Sequence, residues 1–339
     1  MSEISKKMSR PALVPIALVL LVFAVAPASL AWFGKGYFFQ VANLVLIFAL
    51  LAASLHLVTG VAGLLHLGHA AFYGIGAYVA ALMGSELKLG FLWGLPAAGL
   101  AAGLLAFVVA LPTMRLVSIY FAVATLAIGQ MINTVLLNWV AVTKGPNGVM
   151  LFSGIKLFGW SVKGGLSVYF VVAVVVGLSI WALHRLTHSY WGNALRALRE
   201  DDQCADAMGI DTVRLKIEVF TLSAVFAGLA GALWAYTTGY VSPGDFNFSN
   251  SILILAMVVV GGLGSLPGAI VGAVLLILLP EVLRSFGDLR NVMVGIVMFV
   301  SILFLPKGLF GEVPALTFAR RALGRRWTAA PGEREVGWK

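Results

Sequence analysis

Charged side chains are scarce in this sequence. Lys, Arg, Asp and Glu make up 11% of its 339 residues, and 60% of the residues are hydrophobic. An ordinary globular chain carries roughly a quarter charged residues. So few charges exclude a water-soluble domain, and they indicate a polytopic membrane protein.

Cysteine is almost absent, and so are the motifs of common enzymes. Cys204 is the single cysteine, so no intrachain disulfide forms, and no CxxC pair or His/Cys cluster offers a metal site. The sequence has no GxxxxGK[ST] phosphate loop, no nucleophile elbow and no HExxH. We therefore expect no enzymatic activity, no bound cofactor and no metal, and energy for any active process must come from another protein.

The basic residues are distributed along the chain rather than massed on one face. The formal net charge of +9 argues at first for a nucleic-acid partner. The cations instead cluster in three places: the N-terminus, the central segment 184–214 and the tail. The N-terminal cluster is Lys6, Lys7 and Arg10, and the tail cluster is Arg320, Arg321, Arg325 and Arg326. This is the positive-inside distribution of cytoplasmic segments. It argues against nucleic acid and predicts that both termini and the central segment are cytoplasmic.

Ten apolar runs have roughly the length of a membrane span. They predict an all-α membrane domain over residues 11–311, between a cytoplasmic N-terminus (1–10) and a basic cytoplasmic tail (312–339). The runs are Pro11–Ala31, Phe38–Val58, Val61–Met83, Phe91–Leu111, Leu116–Val140, Leu166–Leu183, Leu215–Tyr236, Ser251–Gly264, Pro267–Leu283 and Val292–Leu305. The first run is long enough to favour an uncleaved span over a signal peptide. The short eighth and ninth runs predict broken or re-entrant helices.

Runs two to five and seven to ten form two similar groups of four. Run seven comes five runs after run two. Because each run crosses the membrane once and five is odd, the two groups have opposite orientations in the membrane. This is the inverted-repeat plan of many transporters, in which the substrate path lies between the halves.

The segment His184–Arg214 is the one long charged stretch between the two halves. Read as a helix, it places Arg196, Arg199 and Glu200 on one arc and Leu195 and Leu198 on the other. Asp201 or Asp202 is predicted to break this helix and to cap the start of a short second helix. Gly209 is predicted to end the second helix, and Asp211 to cap the helix that re-enters the membrane. From the residues alone, an amphipathic loop and a docking site for a partner are equally good interpretations.

Two spans carry polar side chains where lipid disfavours them. In the third, Gly68 permits close helix packing, and His66 and His69 face a cavity, a partner or the bundle interior. Structural hydrogen bonding is the favoured role for each histidine, and a proton relay is the alternative. The fifth span contains Tyr120, Thr125, Gln130 and Asn133, which either bond to neighbouring helices or line a ligand path.

The longest loop on the external side runs from Thr143 to Gly165. It contains the turn sequence Gly145, Pro146, Asn147 and Gly148. A loop of this length predicts contact with a soluble partner.

Seven stretches, in this order, resemble the permease subunits of ABC importers for branched-chain amino acids, in particular their M-type (LivM-like) subunits. They are GLLHLGHAAFYGIGAY (63–78), IYFAVATLA (119–127), KGPNG (144–148), ALRALRED (194–201) with AMGI (207–210), GLAGA (228–232), SP (242–243) and GGLGS (261–265). The chain departs from this pattern at His66, where serine is usual, at Leu253, where an acidic residue is common, and beyond Gly311.

The resemblance implies a function and a set of partners. Such permeases pair with a second permease subunit, two ATPases that use ATP and Mg, and a periplasmic solute-binding protein, in the bacterial inner membrane. It makes segment 184–214 a coupling loop that docks in a groove of the ATPase, with coupling residues Arg196, Arg199, Glu200, Asp201, Ala205, Met208 and Gly209. Residues His66, Gly68, His69, Phe72, Tyr120, Gln130 and Asn133 are candidates for the substrate path, and Gly145 to Gly148 for contact with the binding protein. Alternatives are a permease for urea or short amides, and a proton-coupled secondary transporter.

Overall fold

The structure is a computed structural model, and it describes residues 36–283 except positions 115, 117, 152–153, 158–159 and 162–163, together with positions 292, 295–296, 299 and 308. The predicted first span, the cytoplasmic N-terminus, most of the tenth span and the basic tail lie outside the described residues.

The described chain is mainly helical, with four very short strands. In order, its elements are α1 (Gly36–His56) with a π-helical turn (Leu57–Val61), α2 (His69–Ser85), α3 (Phe91–Thr113), α4 (Ser118–Asn138), α5 (Val140–Thr143), a 3-10 turn (Gly145–Asn147), β1 (Val149–Met150), β2 (Lys156–Leu157), β3 (Trp160–Ser161), α6 (Gly165–Thr187), α7 (Tyr190–Glu200), α8 (Asp202–Ala207), α9 (Thr212–Thr238), β4 (Tyr240–Val241), a 3-10 turn (Pro243–Phe246), α10 (Phe248–Gly261) and α11 (Leu266–Val282).

Five of these helices are long and apolar enough to cross a membrane. They are Tyr37–Val61, Phe91–Thr113, Ile119–Asn138, Gly165–Thr187 and Thr212–Thr238, and α10 and α11 are apolar but shorter. This confirms a helical, multi-pass membrane protein. The eighth and ninth runs form the two separate short helices α10 and α11, because α10 ends at Gly261 and α11 begins at Leu266.

The bundle is built around α1 and α9. Helix α1 is almost wholly buried, and α9 packs along both α2 and α3. A Cβ atom at Gly76 of α2 would overlap the backbone of Gly228 in α9, and one at Gly231 would overlap the carbonyl of Tyr73. Small residues therefore bring these helix backbones into direct contact, as is common in membrane bundles.

The third predicted span is not one continuous helix. Residues 62–68 are irregular, and α2 begins only at His69, so the expectation of a single helix over Val61–Met83 is wrong. Irregular backbone inside a membrane domain needs partners for its amide groups. The Leu67 N–H donates to Thr125 Oγ1 (3.2 Å) and the Ala70 N–H donates to Ser251 Oγ (3.0 Å).

The two ends of the bundle differ. Helices α7 and α8 lie at one end, which we call the α7 end, and α9 runs from there to β4 at the opposite, β4 end. At the β4 end β1 pairs antiparallel with β4, with Val149 opposite Val241, and β2 pairs with β3. These short strands were not predicted. The β1–β4 pair ties the loop after α4 to the loop after α9.

Candidate functional site

Helices α7 and α8 form a charged segment at one end of the bundle, between α6 and α9. Helix α7 is amphipathic, with Gly192, Leu195 and Leu198 buried and its charged residues exposed. The Ser189 hydroxyl caps its start by accepting a hydrogen bond from the Gly192 N–H (3.4 Å). The apolar side of α7 therefore lies against the bundle, as the sequence pattern predicts.

Asp201 separates the two helices. Its carboxylate accepts hydrogen bonds from the Gln203 and Cys204 N–H groups, both 2.9 Å, and so caps α8. The hydrogen bond from the Cys204 N–H is the main cause that lowers the pKa of Asp201, because it stabilises the charged form. The predicted break at this position is confirmed.

The end of α8 also follows the sequence prediction. Gly209 has φ +84°, and the Ile210 N–H donates to the Ala205 carbonyl (3.2 Å), which is the closing bond of a glycine-terminated helix. The Asp211 carboxylate then accepts from the Arg214 N–H (3.0 Å) at the start of α9.

Two arginines join α7 to the membrane helices. Arg199 Nη1 donates to the Gly60 carbonyl (2.7 Å) in the π-helical turn, and Arg196 Nη2 donates to the Thr187 carbonyl (3.0 Å) at the end of α6. A Cβ atom at Gly63 would lie 2.7 Å from the Arg199 side chain. Both guanidinium groups therefore contact this chain's own bundle.

The remaining residues of the predicted coupling set divide by exposure. Ala205 is buried, whereas Glu200, Asp201, Met208 and Gly209 are exposed, Met208 to 83%. These four exposed residues lie directly before and after α8, and we call them the α8 face. Behind it, Lys216 of α9 pairs with Asp202 and holds α8 against the bundle. The α8 face is thus an open surface on a fixed segment.

His66 and His69 lie together inside the bundle. Their ring centroids are 5.5 Å apart, and the His66 ring also contacts Phe72, Phe121 and Phe220. Gly68 lies between the two histidines, where a Cβ atom would overlap the Thr125 carbonyl of α4. The structure therefore brings together four of the seven candidate path residues: His66, Gly68, His69 and Phe72.

The hydrogen bonds of His69 favour a structural role. Its Nε2 lies 2.8 Å from Ser54 Oγ, and the Ser54 hydroxyl donates to the Leu51 carbonyl (2.9 Å). A hydroxyl has one proton to give. His69 Nε2–H is therefore the donor to Ser54, which joins α2 to α1.

The other three candidate path residues lie on α4, away from the histidines. Tyr120 and Gln130 are exposed on the outer side of the helix. Asn133 is buried, and its Nδ2 donates to the carbonyls of Pro243 (2.9 Å) and Phe246 (3.3 Å). The candidate set therefore falls into a buried cluster, a structural amide and an exposed helix face.

The turn Gly145–Gly148 lies at the β4 end, opposite to helices α7 and α8. Both glycines have positive φ values, +60° and +66°, and Pro146 and Asn147 are exposed between them. The Tyr240 hydroxyl donates to the Asn147 carbonyl (3.1 Å), and Lys144 lies 3.7 Å from Glu86. The turn is therefore held in place and presents its two central residues outward.

The sequence did not predict which backbone carbonyls accept the hydrogen bonds of Arg199 and Arg196. No pattern marks the carbonyls of Gly60 and Thr187, because their role depends on contacts with residues far along the chain or on the next helix. Within the described part of the chain, no group of three or more His, Cys, Asp or Glu residues is placed to hold a metal ion.

Comparison with known proteins places this architecture in a family. Residues 37–304 match the family model described as branched-chain amino acid transport system / permease component. The chain is 36% identical to the high-affinity branched-chain amino acid transport permease LivM of Escherichia coli K12, covering 87% of this chain and 73% of the relative. It is 27% identical to LivH of the same organism (78% and 91%) and 26% identical to BraD of Pseudomonas aeruginosa (78% and 92%). No solved structure matches. With a family model over most of its length and a relative above 30% identity, the chain belongs to the permease components of branched-chain amino acid transport systems.

Proposed function

We propose that this chain is the transmembrane permease subunit of a binding-protein-dependent ABC importer. It translocates leucine, isoleucine, valine or related aliphatic amino acids across the bacterial inner membrane. Its partners are a second homologous permease subunit, two ATPases that hydrolyse ATP with Mg, a periplasmic solute-binding protein and the membrane lipid. The observation that carries the proposal is the capped α7–α8 segment with its open α8 face, in a chain of this family.

In this proposal the α8 face docks in a groove of an ATPase subunit. Exposed Met208 supplies an apolar anchor and Glu200 and Asp201 supply charge, a combination suited to helix-in-groove recognition. Movement of the ATPases passes through α7 and the Arg199–Gly60 hydrogen bond into α1, the buried helix of the bundle. A difference in binding free energy between two states of the permease is what drives the change of access.

The docking site fixes the orientation in this proposal. The α7 end, both termini and the central segment are cytoplasmic, and the β4 end is periplasmic. Pro146 and Asn147 then contact the solute-binding protein. The full chain has ten segments in two inverted halves, of which the described residues include the α1–α4 group and the α9–α11 group.

The substrate path lies along the exposed face of α4, between this chain and the second permease. Tyr120, Gln130, Thr134 and Asn138 lie on this face, among exposed apolar residues such as Val123. The Thr134 hydroxyl and the Asn138 amide donate to backbone carbonyls of α4 itself, at 2.9 and 2.8 Å. Lipid disfavours the Gln130 amide in the middle of a spanning helix, so a protein partner and a polar path are the better neighbours of this mixed face.

Uptake in cells tests the class and the substrate together. Cells that lack this chain, and cells in which it is restored, are given labelled leucine with and without ATP depletion and with unlabelled isoleucine, valine or urea as competitor. We expect leucine uptake that requires the chain and ATP and is blocked by isoleucine or valine. Transport that urea competes with, in the absence of leucine uptake, would keep the ABC importer and change the assigned substrate to urea or a short amide. Uptake driven by the proton gradient would contradict the assignment as an ABC importer.

A second experiment tests the docking surface. Met208→Asp puts a charge in the proposed apolar contact and should abolish co-purification of the ATPase subunits and ATP-dependent uptake, while the chain still inserts. Leu87→Asp is the matched control, because Leu87 is another strongly exposed apolar residue (64%), which follows α2 at the opposite end of the bundle. Normal ATPase association in Met208→Asp would contradict the docking assignment.

A further inference from the structure

A cavity of about 340 Å³ lies between α7 and the end of the membrane bundle. It is lined by the ends of α1 and α6, by α7 and by the turn before α11. Its ionisable lining residues are His56, His184, His188, Arg196, Arg199 and Glu200. Two guanidinium groups face a single carboxylate, so the lining carries a net positive charge, and the three imidazoles add hydrogen-bonding groups. Its chemistry suits an anionic ligand.

Hydrogen-bond donors remain available in this cavity. Arg196 and Arg199 use part of their N–H groups on the carbonyls of Thr187 and Gly60, and a guanidinium carries five N–H donors. The buried Nδ1 of His184 has no hydrogen-bonding partner in the described part of the chain. The start of α11, capped by Ser265, adds the positive end of a helix dipole to the lining. Planar guanidinium groups bind phosphate with two parallel hydrogen bonds.

The cavity meets the outer side of α6 at His188, the residue that caps the end of this helix. Phe170, Val174, Leu178 and Trp181 are all exposed and recur at intervals of three or four residues, which places them on one side of the helix. The Arg185 guanidinium lies 6.0 Å from the centre of the Trp181 ring, and His184 and His188 follow on the same side. An apolar helix side that ends in tryptophan and arginine is typical of a lipid contact that reaches the interface.

We propose that the cavity binds the phosphate headgroup of an anionic phospholipid of the cytoplasmic leaflet. The acyl chains lie along the outer side of α6, and the phosphate sits between the guanidinium groups of α7 and the imidazoles at the end of α6. The inference rests on the proposed function, because that function puts the α7 end in the cytoplasm. Basic pockets between membrane helices on that side are suited to acidic headgroups.

Such a lipid would connect the coupling segment to the membrane surface. One phosphate would bridge Arg196 or Arg199 on α7 and His184 on α6. It would therefore resist any movement of α7 away from the bundle. The lipid acts as a positioning ligand, and its loss would loosen α7 even when the Arg199–Gly60 hydrogen bond remains.

Native mass spectrometry of the full chain tests the proposal. The purified protein in detergent is given equal amounts of phosphatidylglycerol and phosphatidylcholine, and the ratio of the two retained lipids is measured. The wild-type chain should retain phosphatidylglycerol preferentially. Arg196→Gln with Arg199→Gln should reduce the ratio about tenfold, as expected for loss of charge-assisted hydrogen bonds. Arg214→Gln, which removes an exposed cation outside the cavity, should keep the wild-type ratio.

Two further arms keep the test decisive. If the double arginine variant does not fold, His184→Leu with His188→Leu removes the imidazole donors, leaves Arg196 and Arg199 in place and should still lower the ratio. Excess inorganic phosphate should not displace the lipid. Equal retention of the two lipids by the wild-type chain, or displacement by inorganic phosphate, would overturn the proposal. Failure of leucine uptake with the lipid preference intact would overturn the proposed function alone.

Discussion

Arg199 Nη1 lies 2.7 Å from the carbonyl oxygen of Gly60, and this hydrogen bond joins the charged segment to the end of α1. Gly60 is buried in the π-helical turn, where the backbone departs from regular α-helix. Carbonyl groups at such a turn lack a regular helical partner and are available to a side chain from elsewhere. A surface helix and the most buried helix of the bundle therefore share one direct polar contact.

Removing this contact should loosen α7 without unfolding the bundle. Arg199→Ala leaves the Gly60 carbonyl without its donor, at a cost of about 1 to 3 kcal/mol for a hydrogen bond to a charged group. We expect faster proteolysis within 190–209 and a loss of ATP-driven uptake at normal membrane insertion. Arg214→Ala is the control, since its exposed pairing with Glu218 contributes little. Equal protection of the segment in both variants would show that the Arg199 contact does not hold α7.

The close approach of α2 and α9 should be intolerant of any side chain. Gly76→Val would place its side chain against the backbone of Gly228, which cannot move as a flexible side chain can. We expect a destabilisation of about 1 to 3 kcal/mol or more, the usual cost of overpacking, and a lower melting temperature in detergent. Gly154→Val serves as the matched control, because a Cβ atom there meets nothing within 4 Å. A wild-type melting temperature for Gly76→Val would contradict the described packing.

The local structure of the charged segment could be predicted from the sequence. Asp201, Gly209 and Asp211 act on backbone groups within five residues of themselves, so residue type and spacing were enough to place the break, the end of α8 and the start of α9. The helical content and the apolar faces follow from composition and periodicity in the same way.

Contacts between distant parts of the chain could not be predicted. Hydrophobicity predicted a third span that included residues 62–68, whereas the Thr125 side chain satisfies the Leu67 N–H in this irregular backbone and Ser251 accepts from the Ala70 N–H at the start of α2. The polar residues of the fifth span looked alike in sequence, yet Asn133 is buried against the Pro243 turn and Gln130 is exposed. Which side of α4 faces the bundle depends on packing. The sequence does not show it, because a mostly apolar helix has little alternation between apolar and polar residues.

The cap of α8 should depend on pH through Asp201. Hydrogen bonds from the Cys204 N–H, first of all, and from the Gln203 N–H lower the pKa of Asp201 in the folded segment. A lowered folded pKa gives a contribution to stability that is present above the unfolded pKa and is lost as the pH falls through the folded value. The protection factors of the Gln203 and Cys204 amides, which are the ratios of the intrinsic to the observed exchange rate and so correct for the intrinsic pH dependence of amide exchange, should therefore fall in acid. In Asp201→Asn, which keeps a capping oxygen without the titration, the protection factors should stay constant over the same pH range. A fall of the same size in both proteins would exclude Asp201 as the cause.

The histidine cluster should be structural rather than a proton relay. His69 Nε2–H bonds to Ser54 Oγ, and glutamine can replace this donor whereas leucine cannot. We expect His69→Gln to insert and to support ATP-dependent leucine uptake near the wild-type level. His69→Leu should insert poorly, because the Ser54 oxygen loses its donor inside the bundle and the hydrogen bond that joins α2 to α1 is lost. Uptake by the wild-type chain alone that follows a pH gradient and is abolished in His69→Gln would instead favour the proton-coupled alternative.

The outer face of α4 should be reached by water in the assembled transporter. With Cys204→Ser as background, Gln130→Cys places a single thiol on this face, and Leu100→Cys places one on the exposed, fully apolar side of α3. The thiolate, which forms in water and not in lipid, is the nucleophile that attacks a water-soluble thiol reagent. We expect Gln130→Cys to react at least about tenfold faster than Leu100→Cys, and leucine with the solute-binding protein to slow only the first. If the two thiols react at the same slow rate, α4 faces lipid and the substrate path lies elsewhere.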